Sequence, residues 1–200
     1  MKTLTDTFQY IFANNAWRDP ESVSGPGSTI AATKVLRDQL ANIFMTLNVK
    51  SIVDAPCGDF NWMRHVDYKF QSYMGIDIVP EIIDKLRSEV GSAGKRFQVN
   101  NIVTDLLPTA DVIFCRDCLV HLPNDNIKEA LDNFKNSGFK YLMSTTFPKC
   151  QTNNNISAGD WRPINLQIEP FLLERPLTLI AESPHAVGSY ADKSVGVWCL

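Results

Sequence analysis

No stretch of this chain approaches the ~20 consecutive apolar residues that cross a bilayer as a helix. The first residues, Met1-Lys2-Thr3-Leu4-Thr5-Asp6, also lack the apolar core of a secretion signal, so a soluble, cytoplasmic protein with no membrane partner is expected. Basic clusters are missing too. Lys and Arg never run beyond pairs such as Lys95-Arg96, and the formal net charge is −3. A duplex nucleic-acid partner demands a basic face, so no nucleic-acid partner is expected. The five cysteines are odd in number and irregular in spacing, which argues against a disulfide framework. Cys115-Arg116-Asp117-Cys118 spells C-x-x-C, yet it closes an apolar strand run and has no second cysteine pair beside it. Buried thiols are therefore expected there, and no metal.

What the chain does have is enough apolar content, 44% over 200 residues, for the core of one α/β domain spanning residues 1–200. Leu4, Phe8, Ile11 and Phe12 fall on one face of a short helix over residues 3–14. The turn Glu21-Ser22-Val23-Ser24-Gly25-Pro26-Gly27 leads to Ser28, expected to cap a long helix with Val35, Leu36, Leu40, Ile43 and Phe44 inward. Residues 1–47 thus read as a helical cover.

From there strands and helices alternate. Segments at 51–53, 73–76, 96–99, 111–115 and 141–146 read as strands. Helical patterns begin at Pro80, with Ile82, Ile83, Leu86 and Val90 inward, and at Asn124, read as a cap, with Ile127, Ala130, Leu131 and Phe134 inward. This alternation implies parallel pairing and a doubly wound sheet. Residues 177–181 and 194–200 read as two further strands with no helical pattern between them, a closing antiparallel hairpin over 176–200.

The organising stretch is Ser51-Ile52-Val53-Asp54-Ala55-Pro56-Cys57-Gly58-Asp59-Phe60-Asn61-Trp62. It reads as a strand, a tight turn at Gly58, and Asp59 capping a helix from about Asn61, a geometry that holds nucleotide-like ligands. Asp77, nineteen residues after Gly58, closes the second strand where a doubly wound sheet holds ribose hydroxyls.

Asp54-Ala55-Pro56-Cys57-Gly58-Asp59, Gly75-Ile76-Asp77 and Asp111-Val112-Ile113-Phe114-Cys115-Arg116-Asp117, with Leu119 and His121-Leu122, together resemble the motif series of class I S-adenosylmethionine-dependent methyltransferases. The resemblance runs from about Lys50 to Phe147, within a cofactor-binding core over 48–147. One departure stands out: Pro56 and Cys57 surround a single glycine where the family usually carries G-x-G. The resemblance implies an α/β fold, a mostly parallel seven-stranded sheet ending in that hairpin, and S-adenosyl-L-methionine as cofactor. It implies cofactor contacts from Asp54, Ala55, Pro56, Cys57, Gly58, Asp59, Trp62, Asp77, Ile78, Ile102, Arg116 and Asp117. It also implies that Asn101 stands where an acid accepts the adenine amino group.

His121, four residues past Asp117, is the base expected to take a proton from the acceptor; His65 and His185 lack such a location. The structural alternative for His121 is a packing residue at the rim. Residues 148–175 form the expected acceptor lid, with Trp161 and Arg162 suited to a flat or anionic acceptor such as a sugar, a phosphorylated group or a heteroaromatic ring. A lid that merely folds Trp161 and Phe171 onto the core is the plainer reading. No Asn-Pro-Pro-Tyr-like run follows the fourth strand, and the Pro56-Cys57 pair lies in the first loop, so methylation of DNA bases is not expected. The expected function is methyl transfer to a small or glycan-like acceptor, at oxygen before nitrogen. The alternatives are a degenerate methyltransferase fold acting as a binding protein and a nicotinamide-dependent oxidoreductase; the missing G-x-G-x-x-G argues against the latter.

Overall fold

The computed structural model describes residues 2–182 and 188–200. His185, set aside above as a base, lies outside the described residues. Seven strands form one sheet in the order β3-β2-β1-β4-β5-β7-β6. They are β1 (Ser51–Asp54), β2 (Ser72–Asp77), β3 (Lys95–Val99), β4 (Val112–Cys115), β5 (Tyr141–Thr146), β6 (Thr178–Ala181) and β7 (Ser194–Cys199). β1 to β5 pair in parallel, whereas β7 runs antiparallel to both β5 and β6. The closing hairpin and the doubly wound sheet are therefore as the sequence implied. The order reverses between β1 and β4, so the carboxyl ends of these strands flank the crevice where such sheets take ligands.

Alternation along the strands divides the core between two layers. Ile52, Val112, Phe114 and Met143 pack under the helices α2 (Lys34–Thr46) and α3 (Pro80–Glu89) through Leu36, Leu40, Phe44, Ile82, Ile83 and Leu86. Val53, Ile113, Cys115 and Leu142 face the other way, against Ile127, Ala130, Leu131 and Phe134 of α4 (Asn124–Asn136) and against Ile164 and Leu166. Strands covered on both faces have no solvated face, which is why β4 reads as a continuous apolar run, while the polar residues buried in β5 are hydrogen-bonded, as Ser144 Oγ is to Cys115 O at 2.9 Å.

Three local expectations are corrected. No α-helix follows the Gly58 turn, only a 3-10 turn at Met63–His65: the Asp59 carboxylate accepts from the Asn61 amide at 3.2 Å, but also from Ser22 Oγ and from the Val23 amide, both at 3.1 Å, which ties the turn to the amino-terminal loop. Ser28 does not cap α2. It ends the 3-10 turn Pro26–Ser28, and α2 starts after Thr33, whose hydroxyl donates back to Thr29 O at 2.8 Å instead of capping. Nor does Asn124 cap α4: Pro123 is the cap residue, and the Asn124 side chain donates to Asn153 O at 3.0 Å. The amino-terminal helix α1 (Leu4–Ala13) forms where expected, with a capping box between Thr3 and Asp6. Among the described residues no helix is long and apolar enough to cross a membrane.

Candidate functional site

A cavity of about 790 Å³ opens over the carboxyl ends of β1, β2 and β4, within the range of small-ligand and cofactor pockets. At its floor the chain leaves β1 through Ala55-Pro56-Cys57 into Gly58, at φ +51°. A Cβ there would sit 2.1 Å from Ser24 Oγ and 3.1 Å from Ser24 Cβ, so with glycine at 58 the amino-terminal loop closes directly on a turn whose φ favours glycine. Residues 25–28 of that loop line the cavity, as does Ala32, while the start of α2 itself lies further along the chain.

Asp77 bridges the first two strand ends. Its Oδ2 accepts from the Gly58 amide at 3.2 Å and its Oδ1 from the Val79 amide at 2.9 Å. Burial pushes its pKa up to about 6 against the pull of those amides. Asp54 is raised to about 7, first by burial and further by the Asp77 charge, against the hydrogen bond that the Tyr73 hydroxyl donates to it. Two carboxylates thus sit side by side at 3% and 6% exposure, an environment that favours a cation between or beside them.

Past the ends of β2 and β3, Ile78, Val79, Ile82, Ile102 and Val103 make an apolar slot. Here the two asparagines differ from the expectation. The Asn101 side chain is committed to the local turn, its Oδ1 accepting from the Val103 amide at 2.9 Å. Asn100 is buried and lines the cavity; its Nδ2 donates to Leu106 O at 3.3 Å, while its Oδ1 has no hydrogen-bond partner among the described residues. A flat ring between apolar side chains, with an amino group to offer that amide oxygen, would satisfy both. Asn101 lines the cavity, but the free acceptor belongs to its neighbour.

The far wall is an ion network. Arg116 donates through Nε and Nη2 to Glu182 Oε2, at 2.9 and 2.5 Å, and through Nη2 to Gly27 O at 2.9 Å; its Nη1 lies 3.2 Å from Asp117 Oδ2. Lys193 Nζ donates to the same Asp117 oxygen at 2.6 Å and lies 3.4 Å from Glu182 Oε2. Burial alone would lower the Arg116 pKa, but Asp117 and Glu182 outweigh it and the pKa is raised. Arg116 also stacks over the Trp62 ring at 5.2 Å. The cluster ties the amino-terminal loop, β4, β6 and β7 together around the cavity.

His121 lines the same cavity, and its Nδ1 lies 2.8 Å from Asp160 O. A carbonyl only accepts, so Nδ1 carries the proton and Nε2 keeps the lone pair. Burial lowers the His121 pKa, and the Asp160 contact opposes that only in part, so the ring is neutral at neutral pH. Its face meets Trp17 at 5.3 Å. Trp161 lines the cavity as well, against Tyr190 at 5.0 Å and edge-on to Phe147 at 6.0 Å.

Arg162 requires a correction: it does not line the cavity. Its guanidinium donates to Leu119 O at 2.8 Å, Leu122 O at 2.7 Å, Asn124 Oδ1 at 2.9 Å and Asn154 O at 3.2 Å. Burial lowers its pKa to about 10. Every face of the fork is spent on holding the 147–175 segment against the His121 loop, so an anionic acceptor finds no donor there. That segment is a packed wall and not a free lid: the Asn153 side chain alone bonds the Asn165 and Glu169 carbonyls and the Asn165 amide.

The cavity thus brings together Asp54, Pro56, Cys57, Gly58, Asp59, Trp62, Asp77, Ile78, Asn101, Ile102, Arg116, Asp117, His121 and Trp161. Ala55 lies buried behind the turn, its amide bonded to Phe114 O at 2.8 Å. Trp17, Asn100, Glu182, Tyr190 and Lys193 line the cavity without having been singled out from sequence. For Glu182 a signal existed: it follows β6 on the rim that already supplied three acids. Among the described residues no group of three or more His, Cys, Asp or Glu is placed to hold a metal.

Residues 52–137 match a family model described as a methyltransferase domain. No curated protein matches the sequence. Among solved structures, the N-methyltransferase NodS from Bradyrhizobium japonicum, in complex with S-adenosyl-L-homocysteine, aligns at a TM-score of 0.65 and 13% identity, over 96% of this chain and 97% of that one. A magnesium protoporphyrin IX methyltransferase from Synechocystis with bound SAM aligns at 0.60 and 12% identity, over 98% and 97%. An S-adenosylmethionine-dependent methyltransferase from Clostridium acetobutylicum aligns at 0.60 and 15% identity, over 84% and 92%. The match to the methyltransferase domain of a bacterial CtHen1 spans 57% of this chain and 66% of that one.

Proposed function

We propose that this chain, which carries the seven-stranded sheet and matches a methyltransferase-domain model over residues 52–137, is a class I S-adenosylmethionine-dependent methyltransferase that methylates a small-molecule acceptor held in the cavity above β4. The observation that carries this reading is the Gly58 turn pinned to Asp77, with the partnerless Asn100 amide oxygen in the same cavity. These residues fit the cofactor: a carboxylate for a ribose diol, an amide oxygen for the adenine amino group, an apolar slot for the ring, and the Asp54 and Asp117 carboxylates near a positive centre. S-adenosylmethionine, when bound, supplies an electrophilic methyl on a sulfonium.

The protein's own tasks are alignment of the acceptor and proton removal. His121 suits the second, because Asp160 O fixes the proton on Nδ1 and leaves Nε2 free to take one from a hydroxyl or an amine. Asp117 stands close enough in sequence and charge to steady the imidazolium that results. Trp161, Tyr190 and Trp17 give the acceptor an aromatic enclosure. The magnesium protoporphyrin IX methyltransferase and the N-methyltransferase among the structural neighbours differ in acceptor, so they support the transfer and not one acceptor. Oxygen is the acceptor atom that the sequence favoured; nitrogen is the second reading, carried by Glu182 and taken up below. A nicotinamide-dependent oxidoreductase is disfavoured by the β6-β7 hairpin and the single-glycine turn. A screen of amines, sugars and phenols for S-adenosylhomocysteine formation tests the proposal: turnover dependent on His121 supports it, and cofactor binding with no turnover on any acceptor class favours the binding-protein alternative.

A further inference from the structure

Glu182 is unusual among the acids of the cavity. Its Oε2 is held by Arg116 and approached by Lys193, yet its Oε1 is buried and has no hydrogen-bond partner among the described residues. The residue is 2% exposed and lines the cavity, with Tyr190 and Lys193 placed beside it by the start of β7 and its preceding turn. A buried, partnerless carboxylate oxygen is costly unless a bound group donates to it, and a charged donor satisfies it best.

Two further observations define that donor. The cavity is lined by five carboxylate side chains against two permanent cations, Arg116 and Lys193, and both cations are already bonded to Asp117 and Glu182. No cation among the described lining residues is left for an anionic acceptor. Trp161 and Tyr190, 5.0 Å apart at 32°, add aromatic faces that attract a cation and cover an apolar body.

We infer that the acceptor is a small amine, protonated on arrival, whose ammonium donates to Glu182 Oε1 while its apolar or aromatic body lies against Trp161 and Tyr190. This rests on the methyltransferase reading and deepens it. Before transfer the ammonium gives one proton to His121 Nε2. The nitrogen lone pair then forms the C–N bond as the methyl C–S bond breaks, its electron pair staying on sulfur.

The test uses the whole protein saturated with S-adenosylhomocysteine, with phenethylamine and phenethyl alcohol as probes and tryptophan fluorescence or calorimetry as the readout. The amine is expected to bind at least about tenfold more tightly than the alcohol, and Glu182→Gln, compared at saturating S-adenosylhomocysteine, to remove that preference. Equal binding of the two probes, tighter binding of the alcohol, or no binding of either overturns the inference. So does an amine preference that survives in Glu182→Gln. Should the variant not fold, the wild-type comparison decides alone. Failure of S-adenosylhomocysteine itself to bind would instead strike the methyltransferase reading.

Discussion

The Gly58 amide donates to the Asp77 carboxylate at 3.2 Å, joining the turn after β1 to the tip of β2. One contact therefore shapes the loop and orients the acid assigned to the ribose. Asp77→Ala should weaken S-adenosylmethionine binding by about 1.5–3 kcal/mol, the range for losing a charged hydrogen-bond acceptor. Unchanged affinity in a folded variant, measured by calorimetry, would remove Asp77 from the ribose.

Gly58→Val places a branched side chain at φ +51°, where a Cβ already meets Ser24 Oγ at 2.1 Å. The Ser24 side chain must then move and the turn must strain, and cofactor binding should be lost while the sheet persists. Circular dichroism with a parallel titration separates the two effects. Retained binding would show that the turn does not form the site.

The two asparagines should behave differently. Asn100→Ala removes the amide oxygen left without a partner and should cost about 1–2 kcal/mol of S-adenosylmethionine affinity, whereas Asn101→Ala should chiefly loosen the turn that its Oδ1 holds through Val103. Affinity and melting temperature for both variants check this. The reverse pattern would return the adenine contact to Asn101.

Asp54 and Asp77 have pKa values raised to about 7 and about 6. A positive ligand stabilises their charged forms, so its binding releases protons near pH 6, and affinity should rise as pH climbs from about 5 to about 8. For the free protein the sign is opposite. Groups with a raised folded pKa contribute stability at low pH that fades as pH rises through about 6 and 7. Calorimetry in buffers of different ionisation enthalpy measures the proton release, and proton uptake would contradict the assignment.

Arg162→Lys should destabilise the fold by about 2–4 kcal/mol, since an ammonium cannot reproduce a fork that reaches Leu119 O, Leu122 O, Asn124 Oδ1 and Asn154 O. Denaturant unfolding checks the magnitude. Stability unchanged with acceptor turnover lost would instead restore Arg162 to the acceptor side.

Much of this was legible in the sequence because parallel strands covered on both faces cannot hide: Val112–Cys115 of β4 stands out as an unbroken apolar run, and the nineteen-residue step from Gly58 to Asp77 spans one crossover between parallel neighbours. Trp17, Tyr190 and Lys193 carry no local pattern, since they reach the cavity only when distant segments close over it. Arg162 shows a second limit, because a guanidinium beside a tryptophan looks the same in sequence whether it meets a ligand or four oxygen acceptors of its own chain. Asn100 and Asn101 show a third: neighbours just past a strand end face different surroundings, and only the fold says which amide is left over.

The central claim is that the cavity over Asp54, Gly58 and Asp77 takes S-adenosylmethionine. Titrating the wild-type protein with S-adenosylmethionine, S-adenosylhomocysteine and NAD by calorimetry tests it most directly. One site each for the first two and no heat of binding for NAD is the predicted result; saturable NAD binding, or no binding of either adenosyl compound by folded protein, would contradict it.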